Sequence, residues 1–246
     1  MNEYAVKYNN QGHIGYITFV AAAEQNVVSA LPEICAAING DENIYVVVVN
    51  TVTDFFSRWS GPAQSPEAGT SFQSPASAIA EINRPTLAVL NGDALGAGLE
   101  IGLACDMRMA VETARFGLPQ IENSQIPTEG GTQRLARLVG KGKALEMILT
   151  GEKIDASEAL GIGLINKMVK AENLQTETET LAALLAAKAP LAMRYCKEAV
   201  NKGLDMTLEQ GLRLEADLYF LLHTTADRSE GVQSYLQKRK PEYKGK

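Results

Sequence analysis

Long apolar runs and an excess of positive charge are both missing from this 246-residue sequence. Uninterrupted apolar stretches, such as residues 46–49, stay far below the roughly 20 residues that a membrane-spanning helix requires, so we expect no membrane contact. The 23 basic and 29 acidic residues leave a formal charge of −6, which gives nucleic acid no electrostatic reason to bind. The N-terminus shows neither a basic nor an apolar leader segment, so we expect no secretory signal.

Cysteine and histidine are also scarce. Cys35, Cys105 and Cys196 are odd in number and widely spaced, which predicts free, mostly buried thiols and a cytoplasmic protein. His13 and His223 are the only histidines, so we expect no metal site, and a Ser-His-Asp triad would have to use one of them. No GxGxxG or GxxxxGK[ST] fingerprint is present, which argues against nicotinamide and nucleoside triphosphate chemistry.

The most informative stretch comprises residues 84–106, RPTLAVLNGDALGAGLEIGLACD. Its apolar start, Asn-Gly-Asp turn and Gly96-Ala97-Gly98 junction, followed by helical spacing, predict a strand, a turn and a helix. Glycines let the backbone approach a ligand, and the unpaired N–H groups of a first helical turn suit a developing oxyanion. Glu100 lies in that turn, where a favourable interaction with the helix dipole also accounts for it.

An α/β architecture is predicted for residues 1–173, because segments with strand and helix spacing alternate there. Strands are predicted at residues 13–19, 44–49, 85–90, 107–111 and 165–169. Helices are predicted at residues 29–38, 75–82, 133–139 and 143–149, and an Asp155 cap begins another. Residues 116–119 predict a turn, and residues 53–74, which are rich in Ser, Gly and Pro, predict a long loop.

Beyond residue 173 only helical spacing recurs, which predicts a helical C-terminal region over residues 174–246. The predicted helices occupy residues 180–188, 191–201, 208–222 and 231–240. Their apolar faces favour packing on another subunit, and covering of the α/β part accounts for them equally well.

Residues 84–106, 116–169 and 230–245 resemble the enoyl-CoA hydratase/isomerase (crotonase) superfamily, in the family's order and nearly its spacing. The resemblance implies a spiral of ββα units with a C-terminal helical region that builds a homotrimer or a dimer of trimers. It also implies an acyl-CoA thioester as the substrate, with coenzyme A as part of that substrate and no tightly bound cofactor. Because this fold hosts many reactions, the family alone does not select one of them.

The same resemblance implies an oxyanion hole, in which two backbone N–H groups hold the thioester carbonyl oxygen and stabilise an enolate. One donor matches Ala97, beside Gly96, and the other falls near Ser60 in the long loop. The chain departs from the family there, because residues 59–62 read Trp-Ser-Gly-Pro where a Gly-Ala-Asp-type run is common. Trp59 borders the presumed acyl pocket, which it either closes and shapes or merely adjoins through loop packing.

Hydratases of this family use two glutamates that bracket a water molecule. One position matches Glu100, and the other matches Gln120 in the Phe-Gly-x-Pro run. An amide can orient water but cannot take its proton, so Glu100 is the only carboxyl that the family pattern identifies at the reacting centre. Of two nearby acids, Glu122 is predicted to be solvated. Glu129, at a second Gly-rich junction over residues 126–132, is either a pocket residue or a favourable charge at a helix N-terminus.

Tyr235 and Lys238 match family positions that contact the nucleotide of coenzyme A, and the basic residues 238–240 suit its phosphates. The leading hypothesis is therefore an enoyl-CoA hydratase-like lyase that works through a stabilised enolate. The alternatives are another crotonase-type reaction, namely double-bond isomerisation, decarboxylation or C–C hydrolysis, and a non-catalytic acyl-CoA-binding protein. Replacement of the second glutamate by Gln120 is what keeps these alternatives open.

Overall fold

The computed structural model of the chain describes residues 6–20, 24–52, 55–59 and 74–246. The strands in these ranges are β1 (Val6–Gln11), β2 (Ile14–Phe19), β3 (Val46–Thr51), β4 (Thr86–Leu90), β5 (Ala94–Leu95), β6 (Met107–Val111), β7 (Arg115–Gly117), β8 (Ile154–Asp155) and β9 (Lys167–Val169). The helices are α1 (Glu24–Gly40), α2 (Phe55–Arg58), α3 (Pro75–Ala80), α4 (Ala97–Ala104), α5 (Gly131–Val139), α6 (Lys141–Thr150), α7 (Ala156–Gly161), α8 (Leu174–Ala186), α9 (Pro190–Gly203), α10 (Leu208–Leu222) and α11 (Ala226–Gln237). Strands and helices are interspersed up to β9, as the sequence predicts, and only helices follow β9 in the described residues.

The main sheet runs in the order β1-β2-β3-β4-β6-β9 through the described part of the chain. Strand β1 pairs antiparallel with β2, and every other pair of neighbouring strands in this sheet is parallel. Every residue of β4 is buried, as expected for a parallel strand whose two faces are both covered. Strand β1 is not predicted by the sequence, because its polar residues lack an apolar alternation and the strand is identified only by its ladder with β2.

A smaller sheet, β5-β7-β8, brings two distant segments together near the start of α4. Strand β5 pairs parallel with β7, and the Gly96 N–H extends the ladder by donating to the Gly117 carbonyl at 2.9 Å. The turn predicted at residues 116–119 was wrong, because these residues complete β7 and begin a 3-10 helix over Pro119–Asn123. Strands of two or three residues are too short to produce a periodic pattern, so only their pairing reveals them.

Helix α4 lies at the centre of the core, with every one of its residues buried. Helix α2 packs directly on its first turn, and a Cβ atom built on Gly98 would lie only 2.1 Å from the Phe56 carbonyl oxygen. Only a residue without a side chain permits this approach, so Gly98 sets how closely the segment ending at Trp59 meets α4. The sequence predicts that the backbone at this glycine junction is closely approached. At Gly98 the group that approaches is the protein's own backbone, at Phe56.

The C-terminal helices divide into one that covers the sheet and three that extend from it. Leu174, Thr178 and Ala182 of α8 are buried, and the helix packs on β2, β3, β4 and β6. Large apolar side chains are exposed on the later helices, among them Val200, Leu204, Leu208, Leu212, Phe220, Leu221, Val232 and Leu236. Exposed apolar faces of this extent commonly pack on another subunit. Helix α10 has the predicted bounds, whereas α8 begins six residues before its predicted start, because the mostly polar residues 175–180 show no apolar spacing.

Candidate active site

The first turn of α4 opens into a cavity of about 200 Å³. Gly96, with a φ of +52°, ends β5 and lets the chain turn into the helix. Ala97 follows as the first helical residue, so its N–H has no intrahelical acceptor. The cavity is lined by Ser57, Trp59, Leu95, Gly96, Ala97, Pro119, Gln120, Asn123 and Gln125. Gly96, Ala97, Trp59 and Gln120 are thus brought together, whereas Ser60, the predicted second donor, lies outside the described residues.

Gln120 stands between this cavity and Glu100. It lies in the 3-10 helix that follows β7, and its Nε2 donates a hydrogen bond to Glu100 Oε2 at 3.1 Å. Its Oε1 is buried and has no hydrogen-bond partner among the residues that the structure describes. The two side chains that the family pattern pairs are therefore in contact. Glu100 does not itself line the described cavity, but its carboxyl contacts the Gln120 amide, which does line it.

The second Gly-rich junction binds the Glu100 carboxyl. Glu100 Oε1 accepts hydrogen bonds from the backbone N–H groups of Gly131 at 2.7 Å and Glu129 at 2.8 Å. Gly131 is the first residue of α5, so a helix N-terminus here receives an anion that belongs to the protein. A Cβ atom on Gly131 would lie 2.9 Å from Glu100 Oε1, which explains the glycine. This contact was not predicted from the sequence, although a glycine pair that opens a helix is a signal for a bound anion.

Burial raises the pKa of Glu100 to about 7, since the side chain is only 1% exposed. The Gly131 and Glu129 N–H groups oppose this shift by stabilising the carboxylate. The charge of Glu129 adds to the increase in pKa, and the charge of Arg134 reduces it. With a pKa near neutrality, Glu100 is able both to accept and to donate a proton at physiological pH.

The raised pKa of Glu100 predicts a specific pH dependence of folding. A carboxyl with a folded-state pKa of about 7 holds a proton that the unfolded chain, with a value near 4.5, has already released. Its contribution to stability is therefore complete below pH 4.5 and is lost as the pH rises towards 7. We expect wild type to lose up to about 1.4 kcal/mol per pH unit relative to Glu100→Gln between these limits. Urea unfolding of both proteins at several pH values measures this, and parallel pH curves would contradict it.

Glu129 is 1% exposed and is not among the residues that line the described cavity. Its Oε2 accepts a hydrogen bond from the Ala76 N–H in the first turn of α3, at 3.1 Å. The prediction that Glu129 contacts substrate therefore gains no support from the described lining of the cavity. Glu122 is exposed on the 3-10 helix, as predicted.

The C-terminal residues matched to coenzyme A lie apart from the Ala97 cavity within this chain. Tyr235 is 84% exposed and lines a separate apolar groove of about 490 Å³ between the C-terminal helices. Lys238 is exposed at the end of α11, in the left-handed conformation. Arg239 is already paired with Glu230, whose pKa it lowers to about 2. The assignment of Tyr235 and Lys238 to coenzyme A stays a prediction.

The remaining reactive side chains are placed in structural roles. His13 stacks on Tyr45 with ring centroids 4.0 Å apart, and His223 ends α10 with its ring against Tyr219. Cys35 and Cys105 are buried free thiols, as predicted, whereas Cys196 is exposed. The described ranges contain no cluster of His, Cys, Asp or Glu with the arrangement of a metal site. No helix in the same ranges combines the length and apolarity needed to cross a membrane.

Known proteins of one family are similar to this chain in sequence and in fold. The profile of the enoyl-CoA hydratase/isomerase family matches residues 18–246. The chain is 43% identical over 164 residues to 2,3-dehydroadipyl-CoA hydratase of Escherichia coli, covering 67% of this chain and 64% of that protein. It is 32% identical over 231 residues to crotonyl-CoA hydratase of Syntrophomonas wolfei, covering 90% and 89% of the two proteins. The alignments of 40% identity or more that we compared span 56% to 69% of the relatives' own lengths.

The crystal structure of enoyl-CoA hydratase from Bacillus anthracis superposes on this chain with a TM-score of 0.89 at 32% sequence identity. The superposition covers 98% of this chain and all of that one, so the likeness extends from the sheet through the C-terminal helices. The family profile, the aligned relatives and the fold agree with one another. The chain therefore belongs to the enoyl-CoA hydratase/isomerase family and has the crotonase fold.

Proposed function

We propose that the chain is an enoyl-CoA hydratase-like enzyme, which adds water to the double bond of an α,β-unsaturated acyl-CoA thioester. One observation carries the proposal: a buried carboxyl, Glu100, has a pKa of about 7 and lies one helical turn after the Ala97 amide at the cavity. A donor for an enolate oxygen and a group that exchanges protons are thereby adjacent. Its hydratase relatives in Escherichia coli and Syntrophomonas wolfei agree with this reaction class.

In this proposal the Ala97 N–H, with a second N–H near Ser60, holds the thioester carbonyl oxygen. Glu100 takes a proton from water while the hydroxyl bonds to Cβ, and the electron pair of the double bond moves onto the carbonyl oxygen as an enolate. The same carboxyl, now protonated, then gives its proton to Cα and regenerates the thioester. Water is consumed and nothing else is gained or lost, so a single carboxyl suffices when it acts twice.

Gln120 has a distinct role in this proposal. Its Nε2 is engaged by Glu100 Oε2, which leaves Oε1 as a buried acceptor without a partner among the described residues. A buried acceptor without a donor costs free energy, and a water molecule between Gln120 and the substrate would provide the donor. Gln120 therefore orients the attacking water, and Glu100 activates it.

Double-bond isomerisation is the second candidate, because Gln120 leaves a single acid–base group at the site. Moving a proton from one carbon to another requires one group that accepts and returns it, which Glu100 alone provides. No water needs to be activated in that reaction. A second carboxyl at position 120 would therefore assist hydration, in which water is activated, but would have no role in isomerisation.

Measurement of crotonyl-CoA hydration by wild type and Gln120→Glu tests the proposal. We expect wild type to hydrate crotonyl-CoA, and the variant to increase kcat by about 10-fold or more, because it restores a second general acid–base group. Gln125→Glu is the matched control, since it adds the same charge at the exposed rim of the same cavity. An inert wild type with an active Gln120→Glu would show that hydration is not the native reaction. If neither protein reacts, yet CoA esters raise the melting temperature, the chain is a binding protein.

The family resemblance and the exposed C-terminal helices also support an oligomer, which we propose to be a homotrimer or a dimer of trimers. Tyr235 and Lys238 are exposed near the end of α11, where they are available to the nucleotide of coenzyme A. Coenzyme A enters this proposal as part of the substrate.

A further inference from the structure

Glu129 carries a second buried carboxyl beside the proposed site, and it plays no part in the hydration steps above. Its side chain is 1% exposed, with Oε2 bonded to the Ala76 N–H at 3.1 Å. Its Oε1 is buried without a hydrogen-bond partner in the described ranges. Burying a carboxyl costs free energy, and burial raises the pKa of Glu129, although the Ala76 N–H, the nearby Ser74 hydroxyl and the charge of Arg134 oppose that increase. A residue that serves only the helix N-terminus would not need to be buried.

The main chain of the same residue holds Glu100. The Glu129 N–H donates to Glu100 Oε1 at 2.8 Å, and the Glu129 carbonyl accepts from Arg134 Nη1 at 2.7 Å. The turn is constrained further by Gly130, which has a φ of +97°. Any displacement of Glu129 therefore also displaces a donor to the Glu100 carboxyl.

The side chain of Glu129 contacts the start of α3. Ser74 caps this helix by accepting from the Ser77 N–H at 3.0 Å, and Ala76 lies in its first turn. In sequence, α3 directly follows residues 60–73, so its first turn is where the segment that begins with Ser60 ends. Glu129 thus connects the start of α3 with the turn whose N–H groups bind Glu100 Oε1.

We propose that Glu129 is a positioning residue, which ties the first turn of α3 to the turn that holds Glu100 and sets the electrostatic environment of Glu100. The inference rests on the proposed function only in regarding Glu100 as the reacting carboxyl. Among the described residues, the charged groups that act on Glu100 are Glu129 from the turn and Arg134 from α5. Removing the Glu129 charge leaves Arg134 to favour the ionised form of Glu100.

Two variants and two measurements test the proposal, and neither measurement requires turnover. Glu129→Ala removes the acceptor and the charge, whereas Glu129→Gln retains an oxygen for the Ala76 N–H and removes the charge alone. Amide hydrogen exchange reports the Ala76 contact. The ¹³C carboxyl titration of labelled glutamate reports Glu100, whose resonance is identified by its loss in Glu100→Gln. Glu112→Gln, at an exposed residue after β6, controls for the loss of one negative charge.

We expect Ala76 amide exchange to be about 10-fold faster in Glu129→Ala and to stay close to wild type in Glu129→Gln. We expect the Glu100 titration to move to lower pH in both variants and to remain in place in Glu112→Gln. Wild-type Ala76 exchange in Glu129→Ala, or a wild-type Glu100 titration in Glu129→Gln, would overturn the proposal. If Glu129→Ala does not fold, the titration of Glu129→Gln decides alone. A chain that fails to hydrate crotonyl-CoA would still give these results, so the two proposals fail separately.

Discussion

Replacing Glu100 with glutamine is expected to lower kcat for crotonyl-CoA hydration by about 10²- to 10⁴-fold, the usual loss when a general acid–base group is removed. The amide has nearly the shape of the carboxyl, and its oxygen is able to accept the Gly131 and Glu129 N–H groups. Its NH₂ group would face Gln120, whose own amide is able to turn over and offer Oε1 as an acceptor. We therefore expect the fold to be retained and the chemistry to be lost.

Two measurements distinguish lost chemistry from lost binding in Glu100→Gln. Initial rates at saturating and limiting crotonyl-CoA separate kcat from KM, and thermal unfolding with and without the ester reports binding to the folded protein. We expect the ligand-induced rise in melting temperature to be close to that of wild type. Glu112→Gln carries the same change at an exposed position and should keep the wild-type rate. An unchanged rate in Glu100→Gln would exclude Glu100 as the reacting carboxyl.

Gly98→Ala is expected to have the largest effect on stability among the alanine substitutions considered. Its Cβ would lie 2.1 Å from the Phe56 carbonyl oxygen and 2.7 Å from the Phe56 Cα, both of them backbone atoms that no rotamer change moves. Either α2 or the first turn of α4 must shift, at a cost of about 3 kcal/mol, the upper end of the usual range for overpacking. The same shift would separate Ala97 from Trp59 across the cavity and lower activity.

Gly102→Ala is the matched control, because Gly102 lies on the same helix at a position where a Cβ atom meets no close neighbour. Its Cβ would be 3.8 Å from a Leu90 methyl group, an ordinary van der Waals distance. Alanine is the better helix former, so this variant should be unchanged or more stable by about 0.5–1 kcal/mol. Urea unfolding of the two variants measures the difference directly. Equal stability of Gly98→Ala and Gly102→Ala would contradict the close approach of α2 and α4.

Local signals in the sequence predicted the elements around the site well. The strand and the helix predicted within residues 84–106 are confirmed as β4 and α4, with Gly96 at the junction that opens α4. The Asp155 cap is also confirmed, since its side chain accepts from the Glu158 N–H at 2.8 Å. These features depend on residues close together in the chain, where spacing and capping chemistry suffice. Strands β1 and β7 were missed, because long-range pairing defines them instead of a local pattern.

By itself, the sequence determined the glycine junction that opens α4, the carboxyl of Glu100 in its first turn, and the family to which both belong. It also places an amide at position 120, where the family resemblance predicts a second carboxyl. Only the tertiary structure decided how Glu100 is held, because its donors, Glu129 and Gly131, lie 29 and 31 residues away along the chain. The raised pKa of Glu100 was decided there too, since desolvation depends on the elements packed around α4, which no local spacing reveals.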